Sequence, residues 1–229
     1  MTTPTLTLAE SLKCSTQQAH NQAEHSTFMT DLLEGRLPVA AFIALQQQSL
    51  LVYSALETAL DHFADDPRLA TLGDRRLDRA SRLRDDLAAL GVRATQANIT
   101  ALPATAAYVD SINSCVTNND LLGLLAHHYV RYLGDLSGGQ IIARRMMKYL
   151  ALPAEALSFY DFSELGKIKP YKDRYREALS DLGERLSDAE THHMAAEATR
   201  AFHHNFALFS ELGAQYPTPA APGETPDLH

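Results

Sequence analysis

"RYLGDLSGGQIIARRMM", Arg131 to Met147, decides how the rest of the chain is read. Its apolar and basic residues recur at helical spacing, yet Gly134, Gly138 and Gly139 stand inside it. An interior glycine costs a helix about 0.8–1 kcal/mol relative to alanine, so the run gives up roughly 2–3 kcal/mol. Either the helix ends here or something comes very close to its backbone. Gly134 and Gly138 are four residues apart and share a face, with Gly139 beside them. A face without β-carbons suits a flat ligand, a neighbouring helix or a kink. Asp135 lies between the glycines in an apolar stretch. At i, i+4 from Arg131, it is also placed for an ordinary helix ion pair.

Outward from this run, almost every segment reads as helix. Thr7-x-x-Glu10 is a capping box, with Leu8, Leu12, Ala19 and Ala23 following on one face. A short helix follows from Ser26 to Glu34, stopped by Gly35, and Pro38 opens a long apolar one near its first position. "RRLDRASRLRDDLAAL" is amphipathic and stops at Gly91, and "PATAAYVDSINSCV" is another helix. The longest periodic run starts near Asn119 or Asp120 and passes through the glycines to Leu150. After a loop at Pro153 comes "KPYKDRYREALSDLG"; a second capping box, Ser187-x-x-Glu190, then opens a helix stopped at Gly213. No alternating β-branched strand is evident. The expectation is an all-α, single-domain bundle of seven or eight helices over residues 1–213. A Pro-rich, disordered tail is expected over 214–229. Bundles carry cofactor sites between facing helices.

With 229 residues, 45% of them hydrophobic, the chain can bury a sizeable core. A net charge of −8 argues against a nucleic-acid partner. Cys14 and Cys115 lack metal-ligand spacing and read as reduced thiols of a cytoplasmic protein. The N-terminus has neither the basic start nor the apolar core of a signal peptide, and no run of about 18 apolar residues suggests a membrane span or anchor. The histidine pairs His127–His128, His192–His193 and His203–His204 point about 100° apart on a helix, so no pair easily clamps one ion. Glu190-x-x-His193 is the one plausible half of a di-iron signature, which needs two. These pairs read as structural or solvated.

The first helix offers a different arrangement. Lys13 and His20 are seven residues apart, two turns or about 10.5 Å along the axis, with Glu24 one turn further. A neutral imidazole is a good axial ligand for haem iron, and an ammonium two turns away could meet a propionate. His25 competes for the same role. Later, Lys172 and Arg176 share a face in a basic cluster with Lys167, Lys169 and Arg174. Such a cluster reads as a solvated face, a grip for a ligand carboxylate, or a dock for an acidic electron donor.

With "HHYVRYLGDLSGGQ" and "STQQAHNQAEHSTFM" together, the chain closely resembles the biliverdin-forming haem (heme) oxygenases from about residue 6 to 213. The "RYLGDLSGGQ" string is highly specific. The resemblance implies an all-helical fold with haem between a proximal first helix and a kinked distal one. By resemblance, His20 matches the axial ligand and Glu24 its neighbour. Gly134 and Gly138 match glycines that contact bound ligand, and Gly139 completes the flexible segment. Asp135 matches the carboxylate that organises distal water; Arg131, Tyr53 and Asn205 match its surrounding network. Lys13, Tyr129, Lys172 and Arg176 match propionate-binding positions. The implied reaction consumes haem, O2 and electrons from a ferredoxin, flavodoxin or flavin reductase. It yields biliverdin, IXα by resemblance, with CO and ferrous iron. Some members carry a membrane anchor, whereas this tail implies a soluble form, and nothing demands more than a monomer.

Two rivals stand beside this reading. A haem carrier would need His20 and the propionate grip, but not Asp135 between glycines. A thiamin-degrading hydrolase of similar architecture would want a nucleophilic cysteine beside a carboxylate, and Cys14 has no evident partner in the sequence.

Overall fold

The Thr7 side chain accepts the Glu10 N–H while the Glu10 carboxylate accepts the Thr7 N–H, and this reciprocal cap starts α1 (Leu8–Glu24). Leu8, Leu12, Thr16, Ala19 and Ala23 form the buried stripe of α1. Each fully buried leucine contributes roughly 1.5–3 kcal/mol. In the computed structural model, which describes residues 6–218, seven more helices follow: α2 (Thr27–Leu33), α3 (Val39–His62), α4 (Ala80–Ala89), α5 (Pro103–Thr117), α6 (Leu121–Leu150), α7 (Ile168–Gly183) and α8 (Asp188–Gln215). Four 3₁₀ turns complete the secondary structure, and there is no strand among the described residues.

α8 is the floor of the molecule: α1, α2, α5 and α6 all pack along it. α3 is apolar and long enough to cross a bilayer by composition. Here two thirds of that stretch is buried, against α4, α5 and α6, as a core helix requires. In α6, all of Leu121–Val130 except Tyr129 is buried, so its first half is core on every side. Asp120 caps its start, accepting the Gly123 N–H at 2.9 Å, and Ala151 closes its end in the left-handed region at φ 51°. Helical bonding continues through Gly134, Gly138 and Gly139. The helix therefore does not end at its glycines, and the alternative, a close approach to the backbone, is what remains.

The 151–167 connection is tied down by two buried charges. Arg79 donates to the carbonyls of Arg76, Leu77, Asp78, Phe159 and Asp161 and covers the Phe162 ring at 4.2 Å. Asp86 accepts the N–H groups of Ser158 and Phe159 at 2.8 and 2.9 Å. Together they seat Phe159 and Tyr160 against the back of α6.

Three boundaries differ from the sequence reading. Pro38 is the cap of α3 rather than its first residue. Arg75–Leu77 forms a 3₁₀ turn, and α4 starts at Ala80 because the Glu57 carboxylate accepts the Arg79 and Ala80 N–H groups at 2.6 and 2.9 Å. α8 runs past Gly213 to Gln215, and Thr218 donates to Asp31, so the first residues beyond 213 are still attached to the body. Residues 219–229 of the expected tail lie outside the described residues.

Candidate active site

α1 and α6 both lie along α8 but scarcely touch one another, and α7 packs on α1 while reaching α6. The two helices share a floor and approach each other only sparsely, with Tyr129 of α6 beside Thr16 of α1. The wall on α6 is bare where the glycines stand: a β-carbon on Gly134 or Gly138 would meet no atom within 4 Å. Gly139 behaves differently. It is buried, and a β-carbon there would stand 3.1 Å from the Tyr160 ring. Its small side serves packing against the 151–167 connection, whereas Gly134 and Gly138 present an open strip of backbone.

Asp135 stands between them. Its carboxylate accepts the hydroxyl of Tyr53, a side chain fully buried in α3. Arg131 does not form the i, i+4 pair that the sequence allowed. Its guanidinium lies 4.6 Å from the Tyr53 ring centroid and donates to Asn205 Oδ1 on α8 at 2.6 Å. Burial pushes the Asp135 carboxyl up to about 6, while the Arg131 charge and the Tyr53 hydroxyl pull the other way. The result is a carboxyl that can hold or release a proton near neutrality, fixed by a rigid phenol at the mouth of a bare backbone strip.

On the facing helix, His20 lies at the edge of the buried stripe, next to Ala19. Its side chain is 46% exposed, and its ring meets Phe202 of α8 edge-on at 5.4 Å. The Glu24 carboxylate stands 3.5 Å from His20 Nδ1, which leaves Nε2 for a ligand and orients the ring. His25 is placed otherwise: it is the C-cap of α1, with Nδ1 2.9 Å from the Asn21 carbonyl.

Basic residues stand near the glycine segment on α7 and on α1. Lys172 of α7 donates to Ser137 Oγ, within the glycine segment of α6, at 3.1 Å. Arg176 is exposed and pairs with Asp173 at 3.1 Å. Lys13 is exposed on α1, and Tyr129 is half-buried on α6 beside Thr16 of α1. These residues fit a flat, largely apolar ring that carries acidic arms. The open strip leaves room beside the backbone for a ring, His20 offers a nitrogen lone pair, and the cations can meet carboxylates.

The site also uses residues that the sequence did not single out. Phe202 and Tyr160 shape it, and Tyr108 of α5 is wholly buried near Arg131. Their signal lies in contacts across helices, which no local spacing records. Of the histidine pairs, His128 is buried, with Nδ1 2.7 Å from the Tyr175 hydroxyl, and His193 meets Asp120 at 2.7 Å, as structural residues do. Burial pushes the Cys115 thiol up to about 12, which removes it as a nucleophile.

The family model described as "Heme oxygenase" matches residues 6–211. Heme oxygenase 2 of Oryctolagus cuniculus is 33% identical over 217 residues, covering 93% of this chain and 69% of that protein. Heme oxygenase 1 of Synechocystis sp. is 32% identical over 205 residues, 90% of this chain and 84% of the relative. Among solved structures, heme oxygenase-1 from Synechocystis sp. in complex with heme aligns with a TM-score of 0.85 at 31% identity, over 92% of this chain and 94% of that one. Heme oxygenase from Leptospira interrogans aligns with a TM-score of 0.84 at 32% identity, over 90% of this chain and all of the other.

Proposed function

We infer the roles of the site residues from one premise: the chain belongs to the haem oxygenase family. It binds haem and degrades it to biliverdin, CO and iron. The observation that carries the assignment of roles is the Asp135 carboxyl, held by Tyr53 between two glycines whose face is open.

His20 holds the haem iron through Nε2, with Glu24 fixing the ring through Nδ1. Gly134 and Gly138 let the α6 backbone lie against the opposite face, where any β-carbon would intrude. This answers the question the glycines raise: the helix stability they surrender is consistent with a backbone kept bare for a ligand. Bound haem supplies both the iron that activates O2 and the ring that is oxygenated. Asp135 holds water in the space beside the glycines and passes it a proton; Tyr53 holds that carboxyl in position, and Arg131, bonded to Asn205, lies over the Tyr53 ring. Lys13, Tyr129, Lys172 and Arg176 grip the propionates and set the ring's rotation. The product is then the IXα isomer. Electrons come from an acidic donor protein of the ferredoxin, flavodoxin or flavin-reductase kind, which docks on the basic α7 face. The two free cysteines fit a cytoplasmic protein.

Aerobic incubation with haem and a reductant tests this. The Soret band should decay as bilin absorption rises. A lasting Soret band would turn the assignment to a haem carrier, and failure to bind haem would end it. A second expectation concerns the grip: replacing both Lys172 and Arg176 with alanine should weaken haem binding by about tenfold or more and yield mixed biliverdin isomers. Unchanged affinity and a single isomer would reassign these cations to donor docking, which salt would then weaken.

A further inference from the structure

A series of buried rings runs from Asp135 to a surface cavity beside α7, and only the first ring has a role in the site. Tyr53 of α3 donates its hydroxyl to Asp135. Its ring centroid lies 5.6 Å from that of Tyr132 on α6. Tyr132 in turn lies 4.5 Å from His128, one turn earlier, and His128 stacks on Tyr175 of α7 at 5.7 Å with 4° between planes. Tyr53, Tyr132, His128 and Tyr175 are all buried. Beyond them is solvent: Tyr175 and Tyr171 line a surface cavity of about 370 Å³ together with Asp74, Arg76 and Arg174. Tyr171, one turn before Tyr175, donates to Asp74 Oδ2 at 3.0 Å.

Packing alone does not call for three phenols here. The Tyr132 hydroxyl is buried without a protein partner, a cost that phenylalanine would avoid. The other two hydroxyls have acceptors: Tyr53 has the Asp135 carboxylate, and Tyr175 has His128 Nδ1 at 2.7 Å. A phenol gives up an electron readily only where its proton has a place to go, because the oxidised phenol is a strong acid. Tyr53 and Tyr175 meet that condition, whereas Tyr132 offers only its ring. Burial holds His128 down to about 3, so the imidazole is neutral and free to keep a lone pair at Nδ1. So weak a base takes the proton of an oxidised phenol and returns it once the electron is restored.

We propose that Tyr53 and Tyr175, bridged by the rings of Tyr132 and His128, form an electron path that carries stray oxidising equivalents from bound haem to the α7 cavity. A site that brings haem, O2 and electrons together has competing oxidations to limit. Haem oxidised by hydrogen peroxide takes one electron from Tyr53, whose proton moves to Asp135. An electron from Tyr175 then refills Tyr53. The proton on Asp135 returns to Tyr53, and the Tyr175 proton moves to His128 Nδ1. A small one-electron donor of the ascorbate class, at the cavity, supplies the last electron and loses its own proton to water. The proton on His128 returns to Tyr175. The net change is one electron moved from donor to haem, with every protein group restored.

The path rests on the proposed seat of haem beside Asp135, so one arm of its test contains no haem. Nitrogen-15 NMR of the haem-free protein should show His128 as the Nε2–H tautomer, with Nδ1 accepting from Tyr175. An Nδ1–H tautomer would overturn the path however haem is seated. In the second arm the ferric haem complex is mixed with hydrogen peroxide and freeze-quenched for EPR, and a parallel sample is digested after reaction with a nitroso spin trap. Wild type should give a tyrosyl radical that ascorbate quenches, with the trap attached to Tyr175. Tyr175→Phe keeps the ring but has no proton to release. It should bind haem as wild type does, lose the α7 adduct, hold its radical on Tyr53 and bleach more haem per peroxide. His128→Phe keeps the bridge but removes the acceptor; it too should lose the adduct, and it serves if Tyr175→Phe does not fold. A wild-type radical on Tyr53 that never reaches Tyr175 would overturn the path alone. No radical on either tyrosine would overturn it together with the seat of haem, and an unchanged radical and haem loss in Tyr175→Phe would mark the His128–Tyr175 pair as packing only.

Discussion

Replacing Asp135 with alanine is expected to cut bilin formation by about a hundredfold or more while haem affinity stays within about threefold. The affinity should hold because the ligand nitrogen and the basic grip lie on α1 and α7, away from the substitution. The rate should fall because alanine can neither order water nor release a proton beside the open strip of Gly134 and Gly138. Asp135→Asn separates the two functions: its amide oxygen can still accept the Tyr53 hydroxyl and order water, so its defect should be milder. It also gives a readout without haem. The carboxyl sits at about 6 in the folded protein against an ordinary 3.8. Between these values the folded state binds the proton more tightly than the unfolded one. Wild-type stability therefore falls as pH rises through that window, and the cost is fully present above it. Allowing for the edge that reaches solvent, that cost is about 2 kcal/mol. Haem-free Asp135→Asn should accordingly resist urea better than wild type at pH 8, with the gain lost by pH 4. Normal bilin yield in Asp135→Ala would remove Asp135 from the proton path. Equal stabilities at both pH values would remove the burial argument.

The second large effect belongs to His20. His20→Ala should abolish the imidazole-ligated spectrum of the haem complex and lower turnover by about a hundredfold or more, with partial recovery on adding imidazole. The helix itself should persist, because the side chain lies outside the buried stripe and makes no capping contact. His25→Ala is the matched control. That imidazole is folded back on the Asn21 carbonyl at the helix end, so its loss should fray the last turn of α1 and leave the haem spectrum intact. If the spectrum instead follows His25, the ligand assignment is wrong. Glu24→Gln should shift the ligand's basicity and the spectrum only slightly, since it orients the ring from one side.

Much of this protein is written locally. Two capping boxes, apolar stripes with a repeat near 3.6 and the stops at Gly35 and Gly91 locate the helices, because a helix is decided by bonds four residues apart. The same spacing puts Gly134 and Gly138 on one face and His20 two turns from Lys13, and the "RYLGDLSGGQ" string points to the family. What lies opposite each side chain is decided elsewhere. Arg131 and Asp135 are in register for an ion pair, yet Asp135 takes a hydroxyl 82 residues away and Arg131 an amide 74 residues away. Gly139 reads as part of the ligand face until Tyr160, held by Arg79 and Asp86 through the 151–167 connection, claims its side of the helix. Local spacing placed the helices, the glycine face and two candidate ligand histidines, His20 and His25. Only the packing of α3, α5 and α8 around α6 decided which polar groups meet at Asp135, because partners far apart in the chain are chosen by how buried faces fit.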